Sequence, residues 1–305
     1  MSISEDVCLP EPAVASDFHR PGASHDERVR VTVISPRRGW FDWRLKELWR
    51  YRDLVWLFVW RDFVSVYKQT ILGPAWHVIQ PLMATLVFTF VFGRMAGLST
   101  NGVPPFLFYM AGYVPWMYFA TCLDNTSKTF INNSGLLGKV YFHRLVIPAS
   151  AAISGVITFV IQLGVLLVAI PIFIMNGAVL QPTRWILVTP LLLFMLAGYA
   201  LGAGILVCAL TTKYRDLKHL VTFGLQLMMY VTPVIYSVSA VPRAYRWIAT
   251  TNPLTPIIEG FRLAFVGAGA VQPSDLVWSF SLMVALLALG LTLFTRVERT
   301  FMDTV

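Results

Sequence analysis

The chain has 305 residues, 56% of them hydrophobic and only 13% charged, whereas soluble domains carry about 25% charged residues. That balance excludes an ordinary soluble domain and marks an integral membrane protein. The net charge of +8 reads as lysines and arginines that hold loops inside the cell, not as a nucleic-acid surface.

In chain order, residues 1–35 are acidic, proline-rich and lack an apolar signal core, so a flexible cytoplasmic tail is expected. Residues 36–74 read as a cytoplasmic interface segment. In "DWRLKELWRYR" (42–52), Leu45, Leu48 and Trp49 share one helical face and Arg44, Lys46 and Arg50 turn elsewhere, the pattern of a helix lying among headgroups or against a partner protein. The run that follows is interrupted by Arg61 and Asp62 before it can span, and Gly73-Pro74 closes it.

Six later runs approach the roughly 20 apolar residues that a hydrocarbon core about 30 Å thick requires. They are 76–96, 106–123, 147–175, 185–210, 220–238 and 276–294. With both termini in the cytoplasm, 19 of the 24 Lys and Arg fall inside and five outside (Arg94, Arg184, Arg243, Arg246 and Arg262), as the positive-inside rule requires. The fold class expected is an all-α membrane protein: six transmembrane helices over residues 75–296, an N-terminal amphipathic interface helix and a short cytoplasmic tail at 297–305.

"TTNPLTPIIEGFRLAFVGAG" (250–269) is apolar enough for a seventh span, but crossing would bury Glu259 and Arg262 at about 2.5 to 3.5 kcal/mol for a central charge. Residues 239–273 are therefore expected to re-enter the outer leaflet as a helical hairpin between the fifth and sixth spans. Its two helices are placed at 242–250 and 254–265, with Asn252 and Pro253 at the break. A purely structural buried hairpin is the alternative.

Catalytic signatures are lacking. No H-E-x-x-H, G-x-S-x-G or zinc spacing occurs, and "GLLGKV" has neither the length nor the hydroxyl residue of a P-loop. No catalytic or metal residues are assigned and no cofactor is expected in this chain. Cys8, Cys122 and Cys208 share no metal-like spacing. An ion-driven transporter would place more charge inside its spans than Asp124 near a span end, so the energy for any transport is expected from a separate ATPase.

Aromatic residues make up 14% of the chain. Phe88, Phe92, Tyr109, Trp116, Tyr118, Tyr230 and Tyr236 lie in or beside spans, where flat rings can line a path for sugars or simply face lipid at its interfaces. "GYALG" (198–202) permits close helix packing within the chain or between copies.

The segments "ELWRYRDLVWLFVWRDFVSVYKQTILGPAWHVIQPL" (47–82), "YRDL" (214–217) and "NPLTPIIEGFR" (252–262) resemble the permease subunits of ABC transporters that export polysaccharides such as O-antigen, capsule and teichoic acid. The resemblance implies a homodimer forming one channel in the cytoplasmic (inner) membrane, two copies of a nucleotide-binding subunit carrying ATP and Mg, and a glycan linked to undecaprenyl diphosphate as substrate. It also implies a coupling helix at 129–143, so Lys128, Lys139, Tyr141, His143, Arg144, Arg215 and Asp216 are expected to meet the ATPase. Pro253, Glu259 and Arg262 become candidates for an external gate. Arg52, Arg61 and Lys68 are expected to guide the diphosphate near a lateral opening, or to anchor the helix on anionic lipids, at about 1 kcal/mol per charge. A related exporter of drugs or simple lipids, or a membrane enzyme or scaffold of glycan assembly, are the competing readings.

Overall fold

The computed structural model describes residues 45–68, 72–133, 135, 142–211 and 216–302. Every regular element among them is helical. Five helices are long and apolar enough to cross a membrane: Trp76–Met95, Pro105–Ser127, Val146–Met175, Arg184–Thr211 and Pro273–Phe294.

The chain begins its described part with α1 (Leu45–Arg50) and α2 (Arg52–Tyr67). Val55, Phe58 and Val59 of α2 are buried against Phe142, Val146 and Ile147. Trp49, Trp56 and Trp60 recur at spacings of seven and four residues and stand exposed on the opposite side, so α1 and α2 present a tryptophan stripe suited to a headgroup layer. Residues 45–67 thus form one short helix followed by a longer one, broken at Tyr51.

After a 3-10 turn at Gly73–Ala75, α3 (Trp76–Phe88) continues as a π-helical stretch, Thr89–Met95. Next come α4 (Pro105–Ser127), the short α5 (Thr129–Asn132) and α6 (Val146–Met175). A 3-10 segment at Arg184–Val188 leads into α7 (Thr189–Thr211). Then follow α8 (Leu217–Val231), α9 (Arg246–Thr251), α10 (Thr255–Val266) and α11 (Pro273–Met302).

The buried centre is α4, which packs against α3, α6, α7 and α10. Its residues Leu107, Tyr109, Met110 and Cys122 have no exposed surface. The α7–α11 seam is equally close. A Cβ at Gly202 would lie 2.9 Å from the backbone nitrogen of Leu287, and one at Gly290 only 2.5 Å from the Gly202 carbonyl oxygen. The G-x-x-x-G of α7 therefore joins two helices of the same chain.

The fifth apolar run departs from expectation. It does not continue as one helix to residue 238. Helix α8 ends at Val231, and its 15 residues reach only about 22 Å at 1.5 Å each. Pro233 follows at once and offers no N–H to prolong the ladder, so Val234 and Ile235 enter the core as irregular backbone. Non-helical chain at that depth is tolerated where protein surrounds it.

Within residues 239–273 two helices form, α9 and α10, on either side of Asn252-Pro253, the first starting at Arg246, four residues later than expected. The Asn252 side chain accepts from the Leu254 N–H at 3.0 Å and donates to Thr232 Oγ1 at 2.9 Å, fixing the break to the end of α8. Gly267 closes α10 in the left-handed region (φ 73°), the αL termination that glycine permits at least strain.

Candidate functional site

Three features stand out from the bundle, each assembled by distant parts of the sequence. The first is a buried ion pair on α10. Glu259 and Arg262 are one turn apart, and Arg262 Nη1 reaches Glu259 Oε1 at 2.9 Å. The guanidinium has 0% exposure, sits 3.9 Å from the centroid of the Phe108 ring and donates to the carbonyls of Tyr236 (3.1 Å) and Val234. Those two carbonyls belong to the unwound end of the fifth apolar run. Arg262 thus replaces the helix as their hydrogen-bond partner, and α10 is fastened to α4 and to the chain after α8. The second oxygen of Glu259 accepts from the Ala270 amide at 3.4 Å. Burial pushes this carboxyl above the ordinary range, against the pull of Arg262 and the amide.

Gly112 makes room for this arrangement. A Cβ there would stand 2.6 Å from Arg262 Nη2 and 2.8 Å from the Val234 oxygen. Neither Gly112 nor Phe108 carries a local motif; only their place on α4 beneath α10 reveals them. Pro253 is partly exposed, and its carbonyl accepts from Ser279 Oγ at 2.7 Å, which ties the hairpin to α11.

The second feature is an aromatic cavity of about 390 Å³ between α3, α4 and α8, lined by Phe88, Tyr113, Trp116, Phe223, Gln226 and Tyr230 among others. Of the sequence-predicted aromatic residues, Phe88, Trp116 and Tyr230 meet here. Phe92 packs on Phe88 at 5.9 Å. Tyr109 is fully buried and stands edge-on to Phe88, while Tyr118 is buried and its hydroxyl donates to the Ala152 carbonyl at 3.3 Å. Tyr236 is partly exposed and donates to the Val231 carbonyl at 2.9 Å.

The third feature is a polar cavity of about 550 Å³ bounded by α2 and by one end each of α3, α4 and α6. Chain alternation puts the start of α3, the end of α4 and the start of α6 on one side. Arg61 lies in its wall, paired with Asp62 at 2.7 Å and with its guanidinium 4.7 Å from the Phe58 ring centroid. Arg52 and Lys68 are exposed outside it, Arg52 standing 3.7 Å from Asp53.

Beyond the cavity, Lys128 binds Asp124 at 2.6 Å, and Thr222 of α8 donates to the other Asp124 oxygen at 3.2 Å. This cluster links the ends of α4 and α8. His143 Nδ1 accepts from the Leu145 N–H at 3.3 Å, Arg144 is buried, and Asp216 is exposed at the start of α8. Lys139, Tyr141 and Arg215 lie outside the described residues.

Comparison with known proteins adds a family to this geometry. The chain is 27% identical over 251 residues to the O-antigen export system permease protein RfbA of Klebsiella pneumoniae, covering 82% of this chain and 94% of the relative. It is 25% identical to the protein of the same name from Myxococcus xanthus, covering 86% and 98%. It is 22% identical to the capsule polysaccharide export inner-membrane protein CtrC of Neisseria meningitidis, covering 78% and 89%. Residues 53–266, from the start of α2 to the end of α10, match the family described as ABC-2 type transporter. This membrane-embedded chain belongs to the ABC-2 type transporter family.

Proposed function

We propose that the chain is the permease of an ABC exporter that carries a lipid-linked polysaccharide, of the undecaprenyl-diphosphate-linked O-antigen type, across the cytoplasmic membrane. The observation that carries this reading is the match, over nearly their full lengths, to permeases named for O-antigen export. The absence of a P-loop from the sequence supports a division of labour in which two copies of a separate ATPase bind ATP and Mg.

On this reading two permease copies form the channel. Six spans cross per chain, with α8 as the short fifth, and both termini are cytoplasmic. The exposed apolar face of α8, with Phe223, Leu227 and Tyr230, turns towards the second copy or the glycan path. Tyr230, exposed on α8, offers sugar rings an apolar sliding surface, with Trp116 buried behind it. Exposed Arg52 and Lys68 draw the diphosphate towards the opening beside α2, with Arg61 behind them. Residues 129–143 dock on the ATPase, and the fastened hairpin α9–α10 forms the external gate.

Depletion of the protein in its own host tests this directly. The expected result is loss of the surface polysaccharide with accumulation of the lipid-linked glycan at the cytoplasmic leaflet. Normal surface polysaccharide after depletion contradicts the proposal.

A further inference from the structure

The polar cavity beside α2 holds more than an entrance for a diphosphate needs. We infer that it binds the first sugar of the lipid-linked glycan as a neutral, hydroxylated ring, through side-chain amides and hydroxyls; this rests on the export reading above. Its volume of about 550 Å³ falls within the roughly 300 to 1,000 Å³ of small-ligand sites.

The wall supplies the chemistry. Thr121 and Asn125 come from α4, Asn132 from α5, and Ser154 and Thr158 from α6. Among the described residues, the side chains of Thr121, Asn125, Asn132 and Thr158 have no hydrogen-bond partner, and all four keep accessible surface; the Ser154 hydroxyl lies buried beneath them. Amides and hydroxyls each donate and accept, which is what neighbouring hydroxyls on a sugar ring require.

Charge argues against a diphosphate in the same space. Among the described residues, Arg61 is the cation in the wall, and Asp62 beside it holds the guanidinium at 2.7 Å. The pair contributes no net positive charge, so a phosphate here would meet a carboxylate as well as a guanidinium. The exposed cations Arg52 and Lys68 lie outside the cavity, leaving the diphosphate beside it and the ring inside.

The experiment compares two probes on the permease purified with its ATPase in lipid nanodiscs. One is a short polyprenyl diphosphate bearing a single N-acetylhexosamine, the other the same polyprenyl diphosphate without sugar. The wild type is expected to bind the sugar-bearing probe at least about tenfold more tightly, the size of discrimination that a few matched polar contacts provide. Asn125→Leu and Thr158→Val, made separately, are each expected to bring the ratio of affinities to within about twofold of unity. Because the reading is a ratio, a variant must bind the bare probe to be scored, and two positions on different helices guard against one that fails to fold. Equal affinities in the wild type, or an unchanged ratio in both variants, overturn the sugar site and leave the export reading standing. A wild type that binds neither probe contradicts both.

Discussion

Among the described residues, Arg262 heads the fully buried side chains by volume. It is fully buried yet cationic, and it answers one carboxylate, two main-chain carbonyls and one aromatic face. Removing one partner of a buried pair typically costs about 3 to 5 kcal/mol, because the other charge stays behind. The two halves are not equivalent. Glu259→Gln leaves the guanidinium with its carbonyls and the Phe108 ring, whereas Arg262→Met strands a carboxylate and two carbonyls together. Thermal unfolding of the purified permease should therefore rank wild type above Glu259→Gln and Glu259→Gln above Arg262→Met; the reverse order of the two variants contradicts the geometry. Gly112→Ala should fall near Arg262→Met in the same measurement, since its methyl occupies the guanidinium's place. The Glu259–Arg262 pairing was legible in the sequence, because spacing of three on a helix brings side chains together. Phe108 and Gly112 were not, since nothing local in "FLFYMAGYVPW" says which face of α4 will meet α10.

At the scale of elements, glycine separates two kinds of contact. Gly202 in α7 is needed for close approach, because any side chain would strike the backbone of α11 at Leu287. Gly224 in α8 has open space around its missing Cβ and lies mid-helix, where alanine is favoured by about 1 kcal/mol. Gly202→Leu should sharply reduce the yield of monodisperse protein and its melting temperature, while Gly224→Ala should leave both unchanged or raise the melting temperature. Equal losses at the two sites would refute this distinction.

Helices α3, α4, α6, α7 and α11 were readable as apolar runs because a membrane span needs length and hydropathy, both local properties. The early end of α8 was hidden: "VTPVIYSV" remains apolar past Pro233, and only the capture of its carbonyls by a distant arginine makes the unwound path viable. Polar side chains lining the cavity beside α2 were equally hidden: Thr121 and Asn125, and Ser154 and Thr158, each recur at a spacing of four, but nothing in either pair says that the two helix faces will border one cavity. "INNSG", with adjacent amides in an otherwise apolar loop, was the one available signal.

For the whole molecule, the 19-to-five division of basic residues and the burial of α10 predict a definite sidedness. A cysteine replacing Ala244, in the exposed chain before α9, should react with a membrane-impermeant maleimide added to intact cells. One replacing Asn132 should react only after the cytoplasmic face is opened. Labelling of position 244 solely from the cytoplasm would invert the topology and remove the hairpin from the exit.

On the proposed reading, this chain moves a lipid-linked glycan when an ATPase drives it. The most direct measurement places the permease and its ATPase in proteoliposomes with the ATPase facing outward and a polyprenyl-diphosphate-linked glycan in the outer leaflet. A membrane-impermeant glycosidase then reports how much glycan remains accessible. Accessibility should fall with time only when permease, ATPase and ATP-Mg are all present. Accessibility that is unchanged on adding ATP-Mg, or that falls equally in liposomes lacking the permease, contradicts it.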